Sequence, residues 1–132
     1  MAHYVLNRAA LTQGQFAAVE QHTMRAHSIS QEIDDRWFMV YCLNELGNVA
    51  SAQGDFLSAA GYYQVSYSLR EEFDDAEGMA VALLHLGEVA LKMDSFEEAQ
   101  RSFDRAMIIY EEIYNRGGLA TALNFIGRTA VA

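Results

Sequence analysis

The stretch Leu43-Asn44-Glu45-Leu46-Gly47-Asn48-Val49-Ala50-Ser51-Ala52-Gln53-Gly54-Asp55-Phe56 reads as the end of one helix, a tight turn and the start of the next. It recurs every forty residues. Leu83-Leu84-His85-Leu86-Gly87-Glu88-Val89-Ala90 leads to Asp94-Ser95-Phe96, and Leu123-Asn124-Phe125-Ile126-Gly127-Arg128-Thr129-Ala130 follows. A worn copy comes first, Leu6-Asn7-Arg8-Ala9-Ala10 and then Gln13-Gly14-Gln15-Phe16. Self-similarity at a period of roughly 20–50 residues marks a stacked repeat architecture, because one unit cannot bury its apolar face alone.

Working outward in chain order, residues 1–13 read as a helix with Gly14 as its stop. Phe16, Val19, Thr23, Ala26, Ile29 and Ile33 then recur at helical spacing up to Asp34-Asp35, where aspartate suits a helix N-cap. The second hairpin runs from Arg36 to Gln53, is stopped by Gly54 and capped by Asp55, and continues with Phe56, Ala59, Tyr63, Ser66, Leu69 and Phe73. The third begins at Ala76 and reaches Met93. Ser95-Phe96-Glu97-Glu98 there has the form of a capping box. Phe96, Ala99, Phe103, Ala106, Ile109 and Ile113 carry its second apolar face, and Asn115 caps a last helix over 117–131. Loops this short force neighbouring helices to run antiparallel.

Composition sets the outer limits. The chain has 132 residues, 52% apolar and 20% charged, which is enough to bury a core. Proline is absent, so the strongest helix breaker is missing throughout. The net charge of −9 argues against nucleic acid and against an anionic membrane, both of which select Lys and Arg. Met1-Ala2-His3-Tyr4 lacks the basic start and apolar run of a signal peptide. The single cysteine, Cys42, cannot close an internal disulfide, so a cytoplasmic setting is expected.

Each A helix has one face that repeats and one that does not. Leu43, Leu46, Gly47 and Ala50 return as Leu83, Leu86, Gly87 and Ala90 and again as Leu123, Ile126, Gly127 and Ala130. A helix-interior Gly costs about 0.5–1 kcal/mol relative to Ala, so something must offset it in each copy. Close approach of the paired B helix, at the recurring Ala59 and Ala99, is the expected reason. Phe56 and Phe96 open the B helices where a ring can wedge between successive hairpins. These aromatics read as core packing rather than a cofactor box.

The chain resembles the tetratricopeptide repeat family at Leu46, Gly47, Ala50, Ala59, Tyr63 and Ser66, and again at Leu86, Gly87, Ala90, Ala99, Phe103 and Ala106. Family repeats commonly have 34 residues and a closing Pro. This chain has forty and none, and resembles the long-repeat variety. The resemblance implies an all-α, right-handed superhelical solenoid of antiparallel helix hairpins, about seven helices in all. It would form a single domain over 1–132, with repeats at about 1–35, 36–75 and 76–115 and a terminal helix at 117–131. It also implies a concave groove lined by the non-repeating face: Tyr4, Arg8, Tyr41, Asn44, Asn48, Ser51, Leu84, Glu88, Asn124 and Arg128. Stacking would set Arg8, Asn48, Glu88 and Arg128 in a row. Asn can pair with both the N–H and the C=O of an extended peptide, and Arg can fork onto carboxylates. Such side chains can equally be solvated or pair with one another, as Glu88 with Arg128.

No catalytic arrangement is legible. His3, His22, His27 and His85 share no zinc spacing with one another or with Cys42, which aligns with Ala82 and Ala122 as a small core filler. Asp34-Asp35, Glu71-Glu72, Asp74-Asp75 and Glu111-Glu112 form an acidic ridge that caps and solvated faces explain better than calcium does. Each Gly falls at a cap or inside a helix, not in a phosphate loop. The expectation is a non-enzymatic module without cofactor or metal, binding a protein or peptide segment within a larger regulatory or scaffold protein. The alternative is a sensor or spacer segment of a multidomain signalling ATPase, transcriptional regulator or other enzyme. The last helix keeps the core pattern Leu119, Ala122, Leu123, Ile126 and Ala130 with no eighth helix to cover it, so self-association through that end is a further expectation.

Overall fold

The computed structural model describes residues 13–32 and 35–131, and within them every regular element is an α-helix. They are α1 (Gln13–Glu32), α2 (Arg36–Ala52), α3 (Phe56–Glu72), α4 (Ala76–Lys92), α5 (Phe96–Glu112) and α6 (Arg116–Val131). The expected first helix at 1–13 lies outside the described residues. Gly14, expected as its stop, sits inside the first turn of α1 instead. A helix tolerates Gly there because the first N–H groups have no intrahelical partner to lose. Consecutive helices lie side by side, α1 on α2, α4 on α5 and α5 on α6, as in a helical repeat solenoid. Internal contacts gather into two units, residues 1–62 and 63–132, with the boundary inside α3.

The turns explain the regularity. α2 to α5 are each 17 residues long, and three residues separate each helix from the next. In the turns after α2, α3, α4 and α5 the middle residue is left-handed: Gly54 (φ 82°), Asp74 (57°), Asp94 (59°) and Tyr114 (58°). Its N–H donates to the carbonyl three residues back, as in Gly54 to Ser51 at 3.0 Å. The next N–H donates five residues back, as in Asp55 to Ala50 at 2.8 Å. The same pair recurs at Asp74 and Asp75, Asp94 and Ser95, and Tyr114 and Asn115. These bonds satisfy the orphan carbonyls of a helix end in the Schellman pattern. The third turn residue then starts the next helix. Asp35, Asp55, Asp75 and Asn115 each accept from a backbone N–H three residues on, at 3.1, 3.2, 3.0 and 2.9 Å. Ser95 makes no such bond, so the capping box expected at 95–98 is not closed from its side.

Burial follows the forty-residue register. Val40 and Ala80, Leu43 and Leu83, Val49 and Val89, Ala50 and Ala90, Ala59 and Ala99, Tyr63 and Phe103, and Ser66 and Ala106 are all buried. In the second unit, Tyr67, Leu83, Ala99, Phe103, Tyr110 and Ala122 belong to one apolar cluster. Gly87 opens the space for it. A Cβ at that position would overlap the Phe103 ring, within 2.7 Å of Cδ1 and Cζ. The close approach is to α5, the paired B helix, as expected, and the nearest atoms there belong to the Phe103 ring. Gly118 likewise lies under the ring of Tyr110, and Gly78 under the guanidinium of Arg70. The Arg70 guanidinium donates to Asp75 Oδ2 at 2.9 Å while Asp75 Oδ1 caps α4, so one carboxylate ties the end of α3 to the start of α4.

Cys42 is buried and free, as its alignment with Ala82 and Ala122 implied. Phe96 departs from expectation: it is exposed at the start of α5, beside a surface pocket shared with Asp94, Glu98 and Arg101, and forms no buried wedge. No described helix is long and apolar enough to cross a membrane.

Candidate peptide-binding face

At about 100° per residue, Tyr41, Asn44, Asn48 and Ser51 fall in one stripe along α2. All four are half-buried, whereas Leu43, Leu46, Gly47 and Ala50 on the repeating side are buried. The stripe is therefore the less buried side of α2. Asn48 Nδ2 donates to Glu45 Oε1 at 3.4 Å, which biases the amide within the stripe. Tyr41 stacks with Phe38, ring centroids 6.0 Å apart and planes 12° from parallel.

Trp37, one turn before Tyr41, extends the same stripe and is 62% exposed. Sequence reasoning did not single it out. The signal was available, because the equivalent positions in later repeats are Glu77 and Gly117, so the repeat pattern itself does not call for an aromatic there.

In the second unit the expected residues divide. Leu84 is buried in the apolar cluster and serves packing. Glu88 is half-buried, and Asn124 and Arg128 are exposed. Burial pushes the Glu88 carboxyl above its ordinary value, while Lys92 and Arg128 pull the other way. Glu88 and Arg128 are thus close enough to feel one another's charge. Arg128 also lies over the Phe125 ring, 5.1 Å from its centroid, and Phe125 stacks on Phe103 at 5.0 Å. A cation supported by a ring and biased by a half-buried carboxylate is a fixed feature that a polar ligand can use. Tyr4 and Arg8 lie outside the described residues.

The Phe103–Phe125 stack has a counterpart one repeat earlier. Tyr63 stacks on His85, centroids 4.7 Å apart and planes 9° from parallel. Burial lowers the His85 pKa, and the nearby charge of Arg70 lowers it further. Among the described residues no group of three His, Cys, Asp or Glu side chains is placed to hold a metal.

The Gly87 notch filled by Phe103, with Ala90, Ala99 and Ala106 buried around it, falls inside the segment 78–132 that matches the tetratricopeptide repeat family. The match supports a tetratricopeptide repeat assignment. A search of curated proteins gives no match. Tetratricopeptide repeats generally mediate protein–protein interaction and bind proteins or peptides.

Proposed function

We propose that the chain is a non-catalytic interaction module that binds a peptide or partner segment along the non-repeating faces of its A helices, inside a larger regulatory or scaffold protein. The observation that supports this most is the division of α2, with its repeating side buried and Tyr41, Asn44, Asn48 and Ser51 half-buried in one stripe. Side-chain amides at that spacing can pair with successive groups of an extended backbone. In the second unit, Glu88, Asn124 and Arg128 offer a charged face of its own. A peptide array probed with wild type, Asn48→Ala and Arg128→Ala tests it. Spots that weaken with either substitution are expected, and identical profiles for all three proteins would reject the face.

A second reading, self-association through α6, is favoured by one comparison. Leu43 and Leu83 are 3% and 4% exposed, but Leu123 is 49% exposed. A Cβ at Gly127 would meet nothing within 4 Å, although its equivalent Gly87 lies against Phe103. That notch is ready for a ring that the described residues do not supply. Light scattering at increasing concentration should show a mass above 14.8 kDa that Leu123→Glu returns to the monomer. A monomer at every concentration would end this reading.

A further inference from the structure

We infer that the partner segment is basic, and that one of its Lys or Arg side chains seats on the aromatic surface of Trp37 and Tyr41 at the N-terminal end of α2. This deepens the peptide-binding reading and rests on it. Three observations converge. Trp37 is 62% exposed, and a large exposed ring at the end of a half-buried stripe is what an interaction surface presents and a solvated helix does not need. Phe38 stacks on Tyr41 at 6.0 Å, which braces the second ring of the surface. The sequence flanking the rings is acidic. Over residues 32–48 the chain carries Glu32, Asp34, Asp35 and Glu45 against Arg36 as its one cation, within a chain of net charge −9.

A guanidinium or ammonium over the face of Trp or Tyr is attracted by the ring quadrupole, and surrounding carboxylates raise its local concentration. An acidic segment meets the opposite field. A purely apolar helix would use the rings but gain nothing from the carboxylates. Glu45, half-buried and bonded to Asn48, links this seat to the amides that would hold the peptide backbone.

Trp37 is the only tryptophan, so its emission reports on the seat directly. The probes are three labelled short peptides of Gly and Ser interspersed with Lys and Arg, with Glu, or with Gln. The basic peptide should bind, shift the Trp37 emission and weaken with added salt. Trp37→Ala and Tyr41→Ala should each weaken it about two- to fivefold by anisotropy, the range of an exposed cation–π contact. Trp37→Phe should recover part of the loss. Glu97→Gln with Glu98→Gln, a charge change on α5, should have a smaller effect, which separates the seat from general attraction. Thermal melts of each variant confirm that it folds. Equal binding of the acidic or neutral peptide would overturn the inference, as would basic-peptide binding indifferent to Trp37 and Tyr41. Either result leaves the broader reading standing if array peptides still depend on Asn48 or Arg128, and loss of that dependence removes both.

Discussion

Gly87 and Gly127 occupy the same place in the repeat, yet their substitutions should have opposite signs. At Gly87 a methyl group meets the fully buried Phe103 ring, which has no free space to retreat into. Overpacking of this kind costs about 1–3 kcal/mol and outweighs the helix-propensity gain of Ala. At Gly127 nothing stands within 4 Å, so Gly127→Ala should stabilise by about 0.5–1 kcal/mol. Urea unfolding of the two variants measures both, and a stabilised Gly87→Ala would contradict the packing account. His85 gives the chain an acid-sensitive point. Its folded pKa lies below the ordinary imidazole value of about 6.5, so near that pH the unfolded chain binds more protons. Stability from this residue is complete above about 6.5 and is lost as pH falls from there toward the lowered folded value. His85→Phe, which copies the Phe125–Phe103 stack, should flatten that part of the pH profile in thermal melts.

For the elements, the turns decide. Three of the four left-handed positions are held by residues with side chains, and for L-residues that conformation costs roughly 1–2 kcal/mol. Tyr114 is 89% exposed, so its ring contributes little in return. Tyr114→Gly should stabilise the chain by about 0.5–1 kcal/mol after the entropy cost of Gly in the unfolded state. Gly54→Ala should destabilise by a similar amount, since its φ is 82° although space around it is open. Differential scanning calorimetry reads both. These turns also show what the sequence could convey. Asp35, Asp55, Asp75 and Asn115 were legible as caps because a short acceptor before an apolar run has one obvious use. The left-handed state of Asp74, Asp94 and Tyr114 was not, since only Gly advertises it in letters. The buried face was legible because it repeats. Phe103 as the ring against Gly87, and Arg70 bridging Asp75 over Gly78, depend on side-chain reach between helices, which spacing along one helix does not encode. In the candidate face, Tyr41, Asn44 and Asn48 stood out as changes between copies. Trp37 was overlooked because it lies outside the repeated letters that drew attention.

At the scale of the whole molecule, stability in a stacked array is a sum of local terms and nearest-neighbour interfaces. In the second unit α5 packs against both α4 and α6, whereas α6 leaves Leu123 and Gly127 uncovered. In dilute, monomeric protein amide exchange should therefore be slowest in α4 and α5 and faster in α6. Equal protection of all three helices at high concentration would show that α6 is covered in solution, as the end-to-end reading requires. The uniform turns have a consequence for how such a chain can change length. Each turn after α2, α3, α4 and α5 has a left-handed residue at its middle, and the next helix begins two residues later. Excising residues 75–114 would bring Asp74 against Asn115 and rebuild an existing joint, with Gly118 arriving where Gly78 had been. The chain can thus be shortened or lengthened by whole forty-residue cassettes while no junction has to be invented, and its reading surface can be edited one cassette at a time.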